Sequence, residues 1–223
     1  MELRARSYTA GLILVAGCIL EVVAMGHHPS VEAKDIAQAV AIMAALKTLS
    51  GVVHGVLIGL MLAVAFALTE FAERRGWNRP CIRLGAVSYY AGVMFLSGAA
   101  LVSGFITPGI AAFTPHANAT DLAVNAQLLT LCRLLNQSAA NVGAMAMSVG
   151  ILGFSLDILG EARGRLVALL GLLVGALPAV LLPLGLAHLD LRGMTLVVVL
   201  QALWGAGLGV TFLTAPKDAW VPA

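Results

Sequence analysis

The sequence predicts an all-α, polytopic membrane protein, a six-transmembrane-helix bundle built from duplicated helix pairs as a parallel repeat. Composition, the length of the apolar runs and the placement of the cations predict it. Of 223 residues, 60% are apolar and only 11% charged, against roughly 45–50% and about 25% in a soluble domain. That excess excludes a soluble enzyme, and it excludes a disordered chain, which needs low hydrophobicity and high net charge. A net charge of +2 makes no basic face, so no nucleic-acid partner is expected. The predicted partners are the lipid bilayer and a small-molecule ligand or a membrane-protein partner. The whole of 1–223 reads as a single integral membrane domain.

A spanning helix needs about 20 mostly apolar residues, and the chain offers six runs, at 7–27, 38–71, 84–106, 122–158, 166–187 and 194–215. The first follows Arg4 and Arg6. Its Val15-Ala16-Gly17-Cys18 also fits a lipoprotein acylation signal, but the apolar stretch continues through Met25, which favours a retained span. The second and fourth exceed what a bilayer requires, so each is expected to protrude or to begin as a surface helix. Thr107-Pro108 closes the third, and Pro178 and Pro183 lie in the fifth, where kinks are expected. The three cysteines, Cys18, Cys81 and Cys132, have no C-x-x-C spacing and read as buried thiols.

Orientation follows from the cations. With the N-terminus inside, Arg4, Arg6, Arg74, Arg75, Arg79, Arg83, Arg163, Arg165 and Lys217 fall on the inner side, and only Lys34 and Arg192 in outer loops. Lys47 and Arg133 lie within apolar runs. Tyr8, Tyr89, Trp77 and Trp220 sit at the inner ends, as an aromatic belt would place them. The expected location is the bacterial inner (plasma) membrane, with both termini cytoplasmic. An Asn118-Ala119-Thr120 glycosylation triplet would matter only in a eukaryote.

Ser7-Tyr8-Thr9-Ala10-Gly11 recurs as Ser88-Tyr89-Tyr90-Ala91-Gly92, and Gly17 and Leu20 meet Gly98 and Leu101 at the same offset. In the next pair of runs Ser50, His54 and Glu70 line up with Gln137, Asn141 and Asp157. The repeat units are about 7–76 and 88–163, with a degraded copy at 166–215.

Ionisable and amide groups inside a span are costly and face the bundle interior or a wet cavity. Lys47, Ser50 and His54 share one helical face, and Arg133, Gln137 and Asn141 form a second stripe beside Asn136. Glu21, Met25 and His28 approach the same depth from the first run, and Gln201 and Trp204 from the last. The predicted ligand-binding set is Glu21, Ser50, His54, Arg133, Asn136, Gln137, Asn141, Gln201 and Trp204, lining a polar cavity open to the outer, periplasmic side that binds or transports a small ligand. Arg133, Lys47 or His54 is expected to pair with Glu21.

Structural readings compete at each position. Lys47 and Arg133 can snorkel to the surface, the amides can serve as interhelical glue, and His54 can bond a carbonyl. All five histidines, His27, His28, His54, His116 and His188, map to the outer side. His27, His28 and His54 therefore form a candidate copper or zinc site, the basis of an alternative reading as a metal or redox protein. A haem would normally want two axial ligands from opposing helices, which a single histidine deep in a span does not supply. A third reading is an accessory subunit of a larger membrane complex. No nucleophile with a positioned base, phosphate-cradling loop or dinucleotide fingerprint occurs, so no catalytic residues are assigned.

Overall fold

The structure, a computed structural model, describes residues 2–31, 33–114, 119–162 and 164–214, and the side chains within these ranges except those of 2–7 and 119–120. Arg163, Lys217, Trp220, His116 and the Asn118 triplet fall outside the described side chains.

Among the described residues every regular element is helical: α1 (Glu2–Gly26), α2 (Ile36–Ala45), α3 (Lys47–Arg75), α4 (Pro80–Leu101), α5 (Thr107–Phe113), α6 (Ala119–Ile158), α7 (Arg165–Leu181) and α8 (Leu191–Thr214). A π-helical segment, Val102–Ile106, joins α4 to α5. Five helices are long and apolar enough to cross a membrane: 8–26, 47–75, 80–113, 121–158 and 191–214. Their outward faces carry Leu62, Phe66, Leu84, Met94, Phe95 and Leu203, the apolar surface that acyl chains cover. The fifth predicted run forms only α7, 17 residues, about 26 Å at 1.5 Å per residue against a hydrocarbon core of about 30 Å. Pro178 lies inside α7, and the helix ends two residues before Pro183.

The second predicted run divides in two. Asp35 caps α2 by accepting from the Gln38 N–H at 2.8 Å, while the Gln38 side chain accepts from the Lys34 N–H at 2.8 Å, a reciprocal arrangement that starts a helix abruptly. At Leu46 the backbone leaves helical geometry (φ −88°, ψ 4°), and α3 begins anew. The short α2 is thus a separate helix ahead of the span. The 40 residues of α6 measure about 60 Å, twice the hydrocarbon thickness.

Glycines set how closely the helices approach. A Cβ at Gly92 would overlap Met147 and the Gly143 carbonyl, and one at Gly150 would overlap Tyr89, so α4 and α6 meet backbone to backbone. Gly11 and Gly209 likewise face each other across α1 and α8. This is small-residue packing, through which membrane helices gain dispersion contact.

One end of the bundle is filled. Phe71 meets Phe154 edge to face with centroids 5.5 Å apart and Phe212 at 5.8 Å, and Phe154 stacks on Trp204 at 6.3 Å. Below them Arg75 binds the Asp157 carboxylate through Nε, its Nη1 reaches Glu161 at 3.0 Å, and Arg79 reaches Asp157 at 3.2 Å. Arg75 and Asp157 are both buried, so this cluster ties α3, α4 and α6 together.

Candidate functional site: a chamber with a histidine pair

The opposite end is hollow. A cavity of about 610 Å³ runs from Cys18, Tyr89 and Trp204 in the bundle interior to Ser30 and Val31 after α1 and to Asp190, Leu191 and Arg192 at the start of α8. Its walls are mainly apolar, with Met25, Leu57, Met61, Leu96 and Val198 among them, and its polar groups include Glu21, His28, His54, Asn136 and Gln201, with Asp190 and Arg192 also on the lining. A smaller cavity of about 220 Å³, lined by Met43, Ser50, Thr107, Cys132 and Arg133, shares His28, His54 and Asn136 with the first. The two histidines therefore stand between the two spaces.

Local chemistry explains how they are held. Pro108 has no N–H, and its ring crowds the carbonyl four residues earlier, which is that of Gly104. The helix responds by widening: the Thr107 N–H bonds the Val102 carbonyl in the i to i+5 register. In that register the Ser103 carbonyl would need the missing Pro108 N–H. It takes the Ser50 hydroxyl instead, at 3.4 Å. Gly104 completes the fit, because a Cβ there would overlap the His54 side chain. A π segment beside an interior histidine is a common device of functional sites.

His54 is buried and donates from Nδ1 to its own helix at the Ser50 carbonyl, 2.8 Å away. His28 donates from Nδ1 to the Pro29 carbonyl at 3.0 Å. Each ring is thereby oriented, and the free nitrogens meet, His28 Nε2 to His54 Nε2, at 3.1 Å, with the rings edge to face at 4.7 Å between centroids. Burial lowers the His28 pKa from its ordinary value, and the bond to Pro29 partly offsets this.

Glu21 lines the chamber and makes no hydrogen bond or ion pair among the described residues. The expected pairing with Arg133, Lys47 or His54 is absent: Arg133 is exposed and belongs to the smaller cavity, Lys47 is exposed at the start of α3, and His54 bonds Ser50 and meets His28. Gln201 donates to Ser148 Oγ at 3.2 Å. Trp204 forms part of the wall, and its buried Nε1 has no hydrogen-bond partner among the described residues.

The structure thus brings Glu21, Ser50, His54, Arg133, Asn136, Gln201 and Trp204 around these two spaces. Gln137 and Asn141 line neither: Gln137 is exposed and donates to Asn141 at 3.1 Å along its own helix. The stripe on α6 therefore faces away at the level where its counterpart on α3 faces in. In the expected metal set, His27 parts from the other two. It is exposed, with Nδ1 on the Val23 carbonyl at 2.9 Å, and among the described residues no group of three His, Cys, Asp or Glu side chains is placed to hold a metal ion. The sequence reasoning missed Tyr89 and Cys18 as wall residues and Gly104 as the seat of His54. Pro108, four residues beyond Gly104, was the available signal.

The chain was compared with known families, curated proteins and solved structures. No family model matches it. No curated protein and no solved structure shows significant similarity either.

Proposed function

We propose that the protein binds, and in the fuller reading transports, a small amphiphile that carries a hydrogen-bond donor or a positive charge. It does so in a multi-pass bundle of the bacterial inner membrane whose chamber opens to the periplasm. The single observation that carries this reading is Glu21, a carboxylate without a hydrogen-bond or ion-pair partner among the described residues, on the wall of a largely apolar cavity. A carboxylate in such surroundings needs a donor or a cation to offset its desolvation, and an ammonium or hydroxyl head supplies one. Apolar walls with a few placed polar groups are the usual make-up of a small-molecule site, and 610 Å³ lies within the usual range.

In this reading α7 is the sixth crossing, shortened at Pro178, the helix pairs descend from a duplication, and both termini are cytoplasmic, in accord with the cation bias. The chamber then faces outward.

The test uses protein in nanodiscs and a series of medium-chain alkylamines, alcohols and carboxylates of matched length. Ligands that bind the folded state raise its stability by mass action. Amines should raise Tm most, and Glu21→Gln should remove that preference. If no head group stabilises the protein, or if the order is unchanged in Glu21→Gln, the proposal fails. A membrane-impermeant maleimide on a Ser30→Cys variant in whole cells should label it, which checks the orientation.

A further inference from the structure

The geometry points to a divalent transition-metal ion held between His28 Nε2 and His54 Nε2, on the partition between the two cavities. Both Nδ1 atoms donate to carbonyls, at 3.0 and 2.8 Å. In a neutral imidazole one nitrogen is the donor and the other a lone pair, so both lone pairs are on Nε2. With both lone pairs there, two nitrogens 3.1 Å apart repel unless they share a proton or converge on a metal cation.

The dimensions suit a metal. With metal–nitrogen bonds of about 2.0–2.1 Å, nitrogens 3.1 Å apart subtend roughly 100° at the ion, compatible with tetrahedral or square coordination. The carbonyl bonds at Nδ1 are the outer contacts that orient metal-binding histidines and fix their tautomer. Imidazole selects zinc, copper or nickel over calcium or magnesium. Two protein ligands leave further positions free, and these open onto chambers that water or a bound molecule can enter. Such a site is exchangeable and distinct from a closed structural centre. His54 comes from the interior of a span and His28 from the segment after α1, so the ion would join α1 to α3 at the chamber mouth. This inference goes beyond the amphiphile reading and stands without it, because the ligands are the protein's own imidazoles.

The test uses full-length protein carrying a histidine-free affinity tag. Equilibrium dialysis against Zn²⁺ should give one bound ion per chain, and Cu²⁺ at the same stoichiometry should show electron paramagnetic resonance coupling to two imidazole nitrogens. His28→Gln and His54→Gln should each weaken binding at least as much as the roughly 10–100-fold that loss of an outer contact costs, and His27→Gln should bind as the parent does. His28 lies outside the helices, so its variant tests the site even if His54→Gln fails to fold. Absence of a stoichiometric ion in the parent overturns the proposal, with a shared proton then left as the bridging cation. Equal binding by His28→Gln, or loss of binding in His27→Gln alone, also overturns it.

Discussion

The two ends of the bundle are built from the same kinds of helix yet solve opposite problems. At the end that holds Arg75, aromatic rings and an ion-pair cluster leave no room. At the other, α1, α3, α4, α6 and α8 surround a chamber whose carboxylate makes no hydrogen bond or ion pair among the described residues. Charge is present in both places. Where it is neutralised within the protein it ties helices together, and where it is not, it is available to something that enters.

Substitutions can break or sharpen this contrast. The largest effect is expected for Arg75→Ala, which removes the buried partner of Asp157 and leaves that buried carboxylate only the more exposed Arg79. Breaking one partner of a buried pair costs about 3–5 kcal/mol, read as a lowered midpoint in reversible unfolding in mixed micelles. A smaller loss, about 1–3 kcal/mol, is expected for Gly92→Ala, because the new methyl must displace Met147 or the Gly143 carbonyl. The neighbouring Gly98→Ala, where nothing lies within reach of a Cβ, should show no such loss in the same assay.

The chamber end should respond in the opposite direction. Ala100→Leu, on its wall, should raise stability by about 0.5–2 kcal/mol, as cavity filling commonly does, while abolishing the thermal shift given by alkylamines. If it destabilises as Gly92→Ala does, the two ends are packed alike and the contrast is lost. The smallest change is expected for Asn141→Ala. It removes only a bond to the exposed Gln137, and stability should move by no more than about 0.5 kcal/mol.

The helices were legible because apolar run length is a direct consequence of bilayer thickness, and five of the six runs correspond to helices long enough to span. The break at Leu46 was not legible. No proline or glycine marks it, and it follows from the separate docking of α2 on α5. Of the polar residues within spans, Glu21, His54, Asn136 and Gln201 line the larger cavity. Gln137 and Asn141 line neither cavity, since helical spacing tells which residues share a face but not which way that face turns. Arg133 borders the smaller cavity yet is exposed. The approach of His28 to His54 spans 26 positions and depends on the path of the chain after α1, which no local pattern encodes.

The widened turn before Pro108 reaches beyond the histidine that it seats. In a helix of 3.6 residues per turn, each residue advances the direction of its side chain by about 100°, so slipping into the wider register re-aims everything downstream by a comparable angle. The surface of α5 that meets α2 is therefore chosen by one imino acid. Replacing Pro108 would restore the tighter winding, swing that surface away, and loosen both α2 and the imidazole together, which couples the docking of that short helix to the seating of the pair.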